Sequence, residues 1–254
     1  MHRFHLPPAA CAGSSLRLGK ADSHHAVKVL RLREGDRVTV LDGAGQELSC
    51  EITAAKPAEV SLVVLGRRAH PAPGFQLTLV QGVTKARSMD WIVQKATELG
   101  AHRLVPLLTE HGAVRLDDAE GESKAEKWRA IAIEAMKQCG TPWLPRIDPP
   151  RTPSAWLRCG EPFDLSLLAT FEADARHPRE WVREFEERQG RPPRTLCWWI
   201  GPEGDFSAAE IASARAAGVR PATLGPRVLR SETAALAALA ALAYELSAPR
   251  GALQ

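Results

Sequence analysis

Residues 198–234, WWIGPEGDFSAAEIASARAAGVRPATLGPRVLRSETA, hold two strand-like segments that each end in a glycine turn and run into a helix. The apolar run 196–200 stops abruptly at Gly201-Pro202-Glu203-Gly204, as a buried central strand does. Ser207 followed by Glu210 is a capping box, so a helix is expected to start near Ser207. Ala212, Ala216 and Val219 are expected to continue its apolar face until Gly218 closes it. A second short strand is expected at 222–224, ending at Gly225-Pro226. From Ser231 an Ala/Leu-rich helix with few polar breaks is expected to be buried, within the chain or against another subunit.

In an open α/β sheet, ligands bind at the carboxyl ends of the strands. Glycines there let a ligand approach bare backbone, whose N–H and C=O groups can read a purine edge or an amino acid. Gly201, Gly204 and Gly225 taken singly are also explained as ordinary turn glycines. Taken together, with Glu203, Arg227, Arg230 and Glu232 around them, they point to a ligand site.

IGPEGDF followed by LGPRVLRSETA resembles the signature of the SPOUT superfamily of methyltransferases. Within it the chain is most similar to the bacterial family that methylates uridine N3 in 16S ribosomal RNA (RsmE-type). QGVTKARSMDWIVQKATELGA (81–101), IAIEAMKQCG (131–140) and HHAVKVLRLREGDRVTVLDGAG (24–45) extend the resemblance along nearly the whole chain. It implies an α/β protein: a small N-terminal PUA-like β-barrel domain that binds RNA (1–70), then a SPOUT α/β domain (75–254) with a C-terminal trefoil knot. It further implies S-adenosyl-L-methionine as cofactor, a homodimer, and 16S rRNA, in the assembled 30S subunit, as substrate. Carried over by position, the cofactor loops are Ala169, Thr170 and Phe171; Gly201, Pro202, Glu203 and Gly204; and Leu224, Gly225, Val228, Leu229 and Arg230.

Composition bounds the rest. The 254 residues suffice for two modest domains, and no run nears ~18 uninterrupted apolar residues, so no membrane span is expected. A proline pair at Pro7-Pro8 interrupts the place where a signal peptide needs its apolar core. The five cysteines are scattered without a CxxC pair, which suits a reducing cytoplasm and indicates neither disulfides nor a metal site. Residues 1–70 carry ten Lys/Arg against seven Asp/Glu, and the remainder balances, so the whole net charge of +3 sits in the first lobe. That lobe reads as strands at 37–41, 47–53 and 60–65, with Asp42-Gly43-Ala44-Gly45 as a hairpin turn. Asp22 is expected to cap a short helix with Ala26, Val29 and Leu30 on one face. Arg3, His25, Lys28, Arg31 and Arg33 are candidate phosphate contacts; a solvated helix face explains each equally well. After a Pro-rich linker at 67–75, strands and helices alternate, as a largely parallel sheet requires, with a mobile polar stretch expected at 110–123.

The chemistry implied by the resemblance places its demands on the nucleophile. Uridine N3–H is about as weak an acid as tyrosine, near pKa ~10, which leaves roughly 4 kcal/mol to be recovered at neutral pH. Arg230 is the candidate to stabilise charge on a uracil oxygen, and Glu232 or Glu203 the candidate proton acceptor. Glu232 is equally explained by the positive end of the last helix. Asp205 stands where the resembled family usually has a second glycine, and is expected to resist φ > 0 there. His111 and Thr141 stand where arginines are common in that family. A SPOUT enzyme acting on another target, such as a ribose 2′-hydroxyl, and a non-catalytic RNA-binding assembly factor are the competing readings.

Overall fold

The computed structural model describes residues 2–247. They form two compact units, residues 2–72 with 133–144, and 73–132 with 145–247.

In the first unit, β1 (Arg3–His5), β2 (Ser15–Arg17), α1 (Lys20–His24), β3 (Arg37–Leu41), β4 (Gln46–Ala55) and β5 (Val60–Ala69) follow in order. The strands form one sheet in the order β1-β3-β4-β5-β2, parallel at β1/β3 and antiparallel elsewhere. It curls around a core that includes Phe4, Leu16, Val38, Leu48 and Ile52, and keeps β1 and β2 as edges. The β3–β4 turn is set by Asp42, whose Oδ1 accepts from the N–H groups of Ala44 (2.7 Å) and Gln46 (2.8 Å). Gly45, at φ +98°, lies under the Trp143 ring, where any Cβ would collide.

Asp22 does not cap α1. Gly19 is the N-cap, and Asp22 Oδ1 accepts from Lys137 Nζ at 3.0 Å. The helix then widens into a π-helical turn over His25–Val29, which rotates Val29 off the apolar face to 60% exposure while Ala26 stays buried. Segment 133–144 belongs to this unit and carries Lys137 and Trp143; nothing in the sequence separates it from its neighbours.

The second unit contains β6 (Gln76–Gly82), α2 (Ala86–Glu98), β7 (Arg103–Leu107), the first part of α3 (Asp118–Cys139), β8 (Arg146–Ile147), α4 (Pro153–Arg158) and β9 (Leu165–Ala169). α5 (Pro178–Gln189), β10 (Thr195–Ile200), α6 (Ala208–Ala216), β11 (Arg220–Ala222) and α7 (Ser231–Ser247) complete it. Its sheet is parallel throughout, in the order β11-β9-β10-β6-β7-β8. Such a sheet is covered on both faces, so its strands are near-continuous apolar runs: Leu77, Leu79, Val80, Leu104, Val105, Leu167, Leu168, Trp198 and Trp199 are all buried.

Three local expectations change. Residues 118–123, part of the stretch expected to be mobile, are the first turns of α3. A reciprocal cap starts that helix: Asp117 Oδ1 accepts from Glu120 N at 2.8 Å, and Glu120 Oε2 accepts from Asp117 N at 3.0 Å. The last strand is Arg220–Ala222 instead of 222–224, because the chain leaves the ladder at Thr223, whose hydroxyl accepts from the Gly225 N–H at 3.1 Å. α6 starts at the expected Ser207/Glu210 box but buries Ala214 and Val219, with Ile211 half-buried; Ala212 and Ala216 are exposed. Within the chain, α7 buries one face as expected, through Ala235, Ala238, Leu239 and Leu242, and leaves Tyr244 78% exposed.

Candidate active site

The order β11-β9-β10 brings three loops together at one carboxyl edge of the sheet. After β9, Thr170 N–H donates to Ala222 O at 3.0 Å and ties its loop to the end of β11. After β10, the chain turns through Gly201–Asp205, closed by Asp205 N–H donating to Pro202 O at 3.0 Å, and Ser207 with Glu210 caps the helix beyond. After β11, Gly225 sits at φ +105°, a conformation that suits glycine, and among the described residues nothing beyond its chain neighbours lies within 4 Å of where its Cβ would stand.

These loops and the first turn of α7 enclose a cavity of about 500 Å³. Ala169, Ile200, Leu224, Leu229 and Ala234 make apolar walls, while Arg227, Arg230, Glu203, Asp205 and Glu232 bring charge. Phe171 and Val228, also on the lining, are 63% and 85% exposed. Size and lining suit a ligand with a flat apolar part and a charged tail.

A buried polar link holds the walls. Gln81, fully buried at the end of β6, donates from Nε2 to Ser231 Oγ (2.9 Å) and to Gly82 O (2.9 Å). Ser231 Oγ in turn donates to Gly201 O at 2.5 Å. The first residue of α7 is thereby fastened to the start of the β10 loop through a strand that belongs to neither. Next to this link, Gly82 leaves room for Pro202: a Cβ on Gly82 would stand 2.6 Å from the Pro202 nitrogen. Glu203 Oε1 accepts from the Lys85 N–H at 3.4 Å, at the N-terminus of α2, and Glu232 lies in the first turn of α7.

Away from the cavity, three sets of ionisable groups are structural. Asp164 accepts from Arg191 and from the N–H groups of Arg194 and Thr195, and the Arg191 hydrogen bonds above all hold its carboxyl down at about 2. Burial pushes the Cys197 thiol well up, so it stays protonated within the sheet. Arg103, Asp148 and Glu161 form a largely buried ion cluster beside Trp156.

Residues 70–243 match the RNA methyltransferase domain family, and residues 18–65 the RNA methyltransferase PUA domain family. Over 231 residues the chain is 32% identical to ribosomal RNA small subunit methyltransferase E of Bacillus subtilis, covering 90% of this chain and 89% of that one. The chain belongs to the ribosomal RNA small subunit methyltransferase E family. The methyltransferase E of Synechocystis is 30% identical over 242 residues, covering 94% of this chain and 76% of its own. The crystal structure of methyltransferase E from Neisseria gonorrhoeae bound to S-adenosyl methionine superposes with a TM-score of 0.82 at 27% identity, over 96% of this chain and 98% of that one. This family member is therefore an rRNA methyltransferase with a PUA-type domain ahead of its catalytic domain.

Within this methyltransferase, all residues expected in the three loops line the cavity except Gly204. Gly204 packs on backbone instead: a Cβ there would stand 2.6 Å from His111 O. Arg230, Glu203 and Glu232 share the lining, and Arg230 is exposed on it with no carboxylate partner among the described residues. Asp205 does not resist the left-handed conformation: it sits at φ +58°, which aspartate tolerates better than most side chains. Among the basic residues expected on the first unit, His25, Lys28, Arg31 and Arg33 are exposed along one segment. Arg31 is held at φ +57° just after the π-helical turn. Arg3 is engaged within the protein, where its guanidinium donates to Lys137 O (3.3 Å) and Gln138 O (3.0 Å) and caps the end of α3. Sequence reasoning missed Gln81, Ser88 and Ile200. Gln81 had a signal, since a lone amide in the apolar run LTLVQG has to find buried partners.

Proposed function

We propose that this enzyme methylates N3 of a uridine in 16S rRNA, drawing on S-adenosyl-L-methionine bound in the cavity at the carboxyl edge of β11, β9 and β10. The observation that carries the reading is the convergence of three strand-end loops, two of them through glycines at the lining, on one cavity of about 500 Å³. The neighbouring N. gonorrhoeae structure, bound to S-adenosyl methionine, supports the same occupant here. Backbone at Gly201, Leu224 and Gly225 would hold the adenosine, with Ile200 and Leu229 as apolar walls. When bound, the cofactor supplies an activated sulfonium methyl, so the protein's part is alignment and handling of the nucleophile.

A uridine N3–H, near pKa ~10, requires roughly 4 kcal/mol at neutral pH. Arg230, exposed on the lining and unpaired among the described residues, is positioned to stabilise charge building on O2 or O4. Glu232, in the first turn of α7, and Glu203, which receives the Lys85 N–H, share the same lining and are the candidate proton acceptors. Domain roles follow: residues 1–70 guide RNA through His25, Lys28, Arg31 and Arg33, and residues 75–254 bind the cofactor in a knotted carboxyl-terminal segment. Val228 and Tyr244, apolar and exposed at and beyond the start of α7, support a homodimer that covers this side. The assembled 30S subunit in the cytoplasm is the proposed setting.

The test is transfer of a tritiated methyl group to 30S subunits lacking the modification and to free 16S rRNA, followed by digestion to nucleosides. Label in 3-methyluridine from subunits is expected. Label on a ribose or another base would overturn the target while leaving the methyltransferase activity intact.

A further inference from the structure

Two of the three carboxylates on the cavity lining face compensating charge. Glu203 accepts from the N-terminus of α2, and Glu232 lies in the first turn of α7, where the helix dipole is positive. Asp205 also accepts a backbone N–H, from Phe206 just ahead of α6, but no ion pair holds it among the described residues. The N-terminus of α6 that follows it is closed by its own Ser207/Glu210 box, and no basic side chain lies within ion-pair distance of Asp205 among the described residues. Nor is the side chain free to swing away. Its Oδ1 accepts from Phe206 N–H at 2.8 Å, its own N–H is bonded to Pro202 O at 3.0 Å, and Oδ1 packs so tightly on Gly201 that a Cβ there would overlap it. The left-handed backbone at φ +58° is held by the same contacts. The result is a carboxylate held in place on the wall of the cavity, without an ion-pair partner among the described residues.

We infer that Asp205 is a specificity-determining residue that makes the cavity favour the cationic sulfonium cofactor over the neutral thioether left after transfer, S-adenosylhomocysteine. The inference rests on the cavity being the cofactor site. Methyl transfer removes the positive charge from sulfur, so a fixed carboxylate attracts the substrate form and is indifferent to the product. A sulfonium placed about 8 Å from the carboxylate, at an effective dielectric of about 40, would have its affinity raised roughly fivefold relative to the neutral thioether. The consequence is that cofactor displaces product more readily, so product inhibition is weaker at a given cofactor concentration.

Isothermal titration calorimetry of S-adenosylmethionine and S-adenosylhomocysteine tests this on the full chain, on Asp205→Asn and on Asp205→Gly. Asparagine tolerates the left-handed conformation and keeps the acceptor for Phe206 N–H while removing the charge; glycine relieves the backbone. The expected result is that the Kd ratio of product to cofactor falls about fivefold in both variants, through weaker cofactor binding. An unchanged ratio, or equal weakening of both ligands, overturns the inference and leaves the cavity assignment standing. Failure of the unaltered chain to bind either ligand overturns the cavity assignment itself.

Discussion

Replacing Ser231 with alanine removes a hydroxyl that is only 7% exposed and makes two hydrogen bonds at once. It accepts from Gln81 Nε2 at 2.9 Å and donates to Gly201 O at 2.5 Å. A buried hydrogen bond contributes about 0.5–1.5 kcal/mol net, and a partner left unsatisfied costs about 1–3 kcal/mol. Gln81 Nε2 retains Gly82 O at 2.9 Å, which limits the loss on that side, but its Oε1 already lacks a partner. Gly201 O loses the bond that ties the β10 loop to α7. Ser231→Ala is therefore expected to destabilise the protein by about 2 kcal/mol in urea unfolding, and to weaken S-adenosylmethionine binding several-fold by calorimetry, because Gly201 forms the cavity wall. Gln81→Met, which removes the other end of the link, should be partly non-additive with it, with a coupling above about 0.5 kcal/mol. A loss below about 0.5 kcal/mol with unchanged cofactor affinity would refute the reasoning.

Arg230→Ala is expected to slow methyl transfer by about 10²–10³-fold while S-adenosylmethionine affinity changes far less, since the guanidinium acts on charge that develops only during reaction; single-turnover transfer beside calorimetry separates the two. Gly82→Ala drives a methyl group into Pro202 and should cost about 1–3 kcal/mol in unfolding, with loss of cofactor affinity. Asp164, held down at about 2 chiefly by Arg191, contributes stability that is fully present above pH 3.8 and is lost as pH falls through about 2. Acid unfolding of Asp164→Asn should lack that part of the pH dependence, about 1 kcal/mol after solvent screening.

The alternation of strands and helices in the second unit was legible because buried parallel strands are apolar on both faces: β10 (Thr195–Ile200) starts one residue before the expected 196–200 and ends with it. The Ser207/Glu210 box fixed the start of α6, since capping chemistry is local. The start of α3 carried the same kind of signal in Asp117 and Glu120, but a polar, charged run reads as loop unless the cap is noticed. Which face of α6 is buried was not legible, because alanine suits either face. Arg3 illustrates a deeper limit: a surface arginine reads as a phosphate ligand until the end of α3, far away in sequence, presents it with two carbonyls. The three glycine-edged loops could be named from the sequence, yet their convergence depends on β10 lying between β9 and β6, an order no local pattern encodes. The tie of Gln81 and Ser231 beneath them is equally non-local.

The most direct measurement is a crystal structure of the enzyme grown with S-adenosylmethionine. The cofactor is expected between the loops at Thr170, Gly201 and Gly225, with its sulfur reachable from Arg230. Cofactor bound elsewhere, or a cavity into which the three loops do not close around it, would contradict the proposed site.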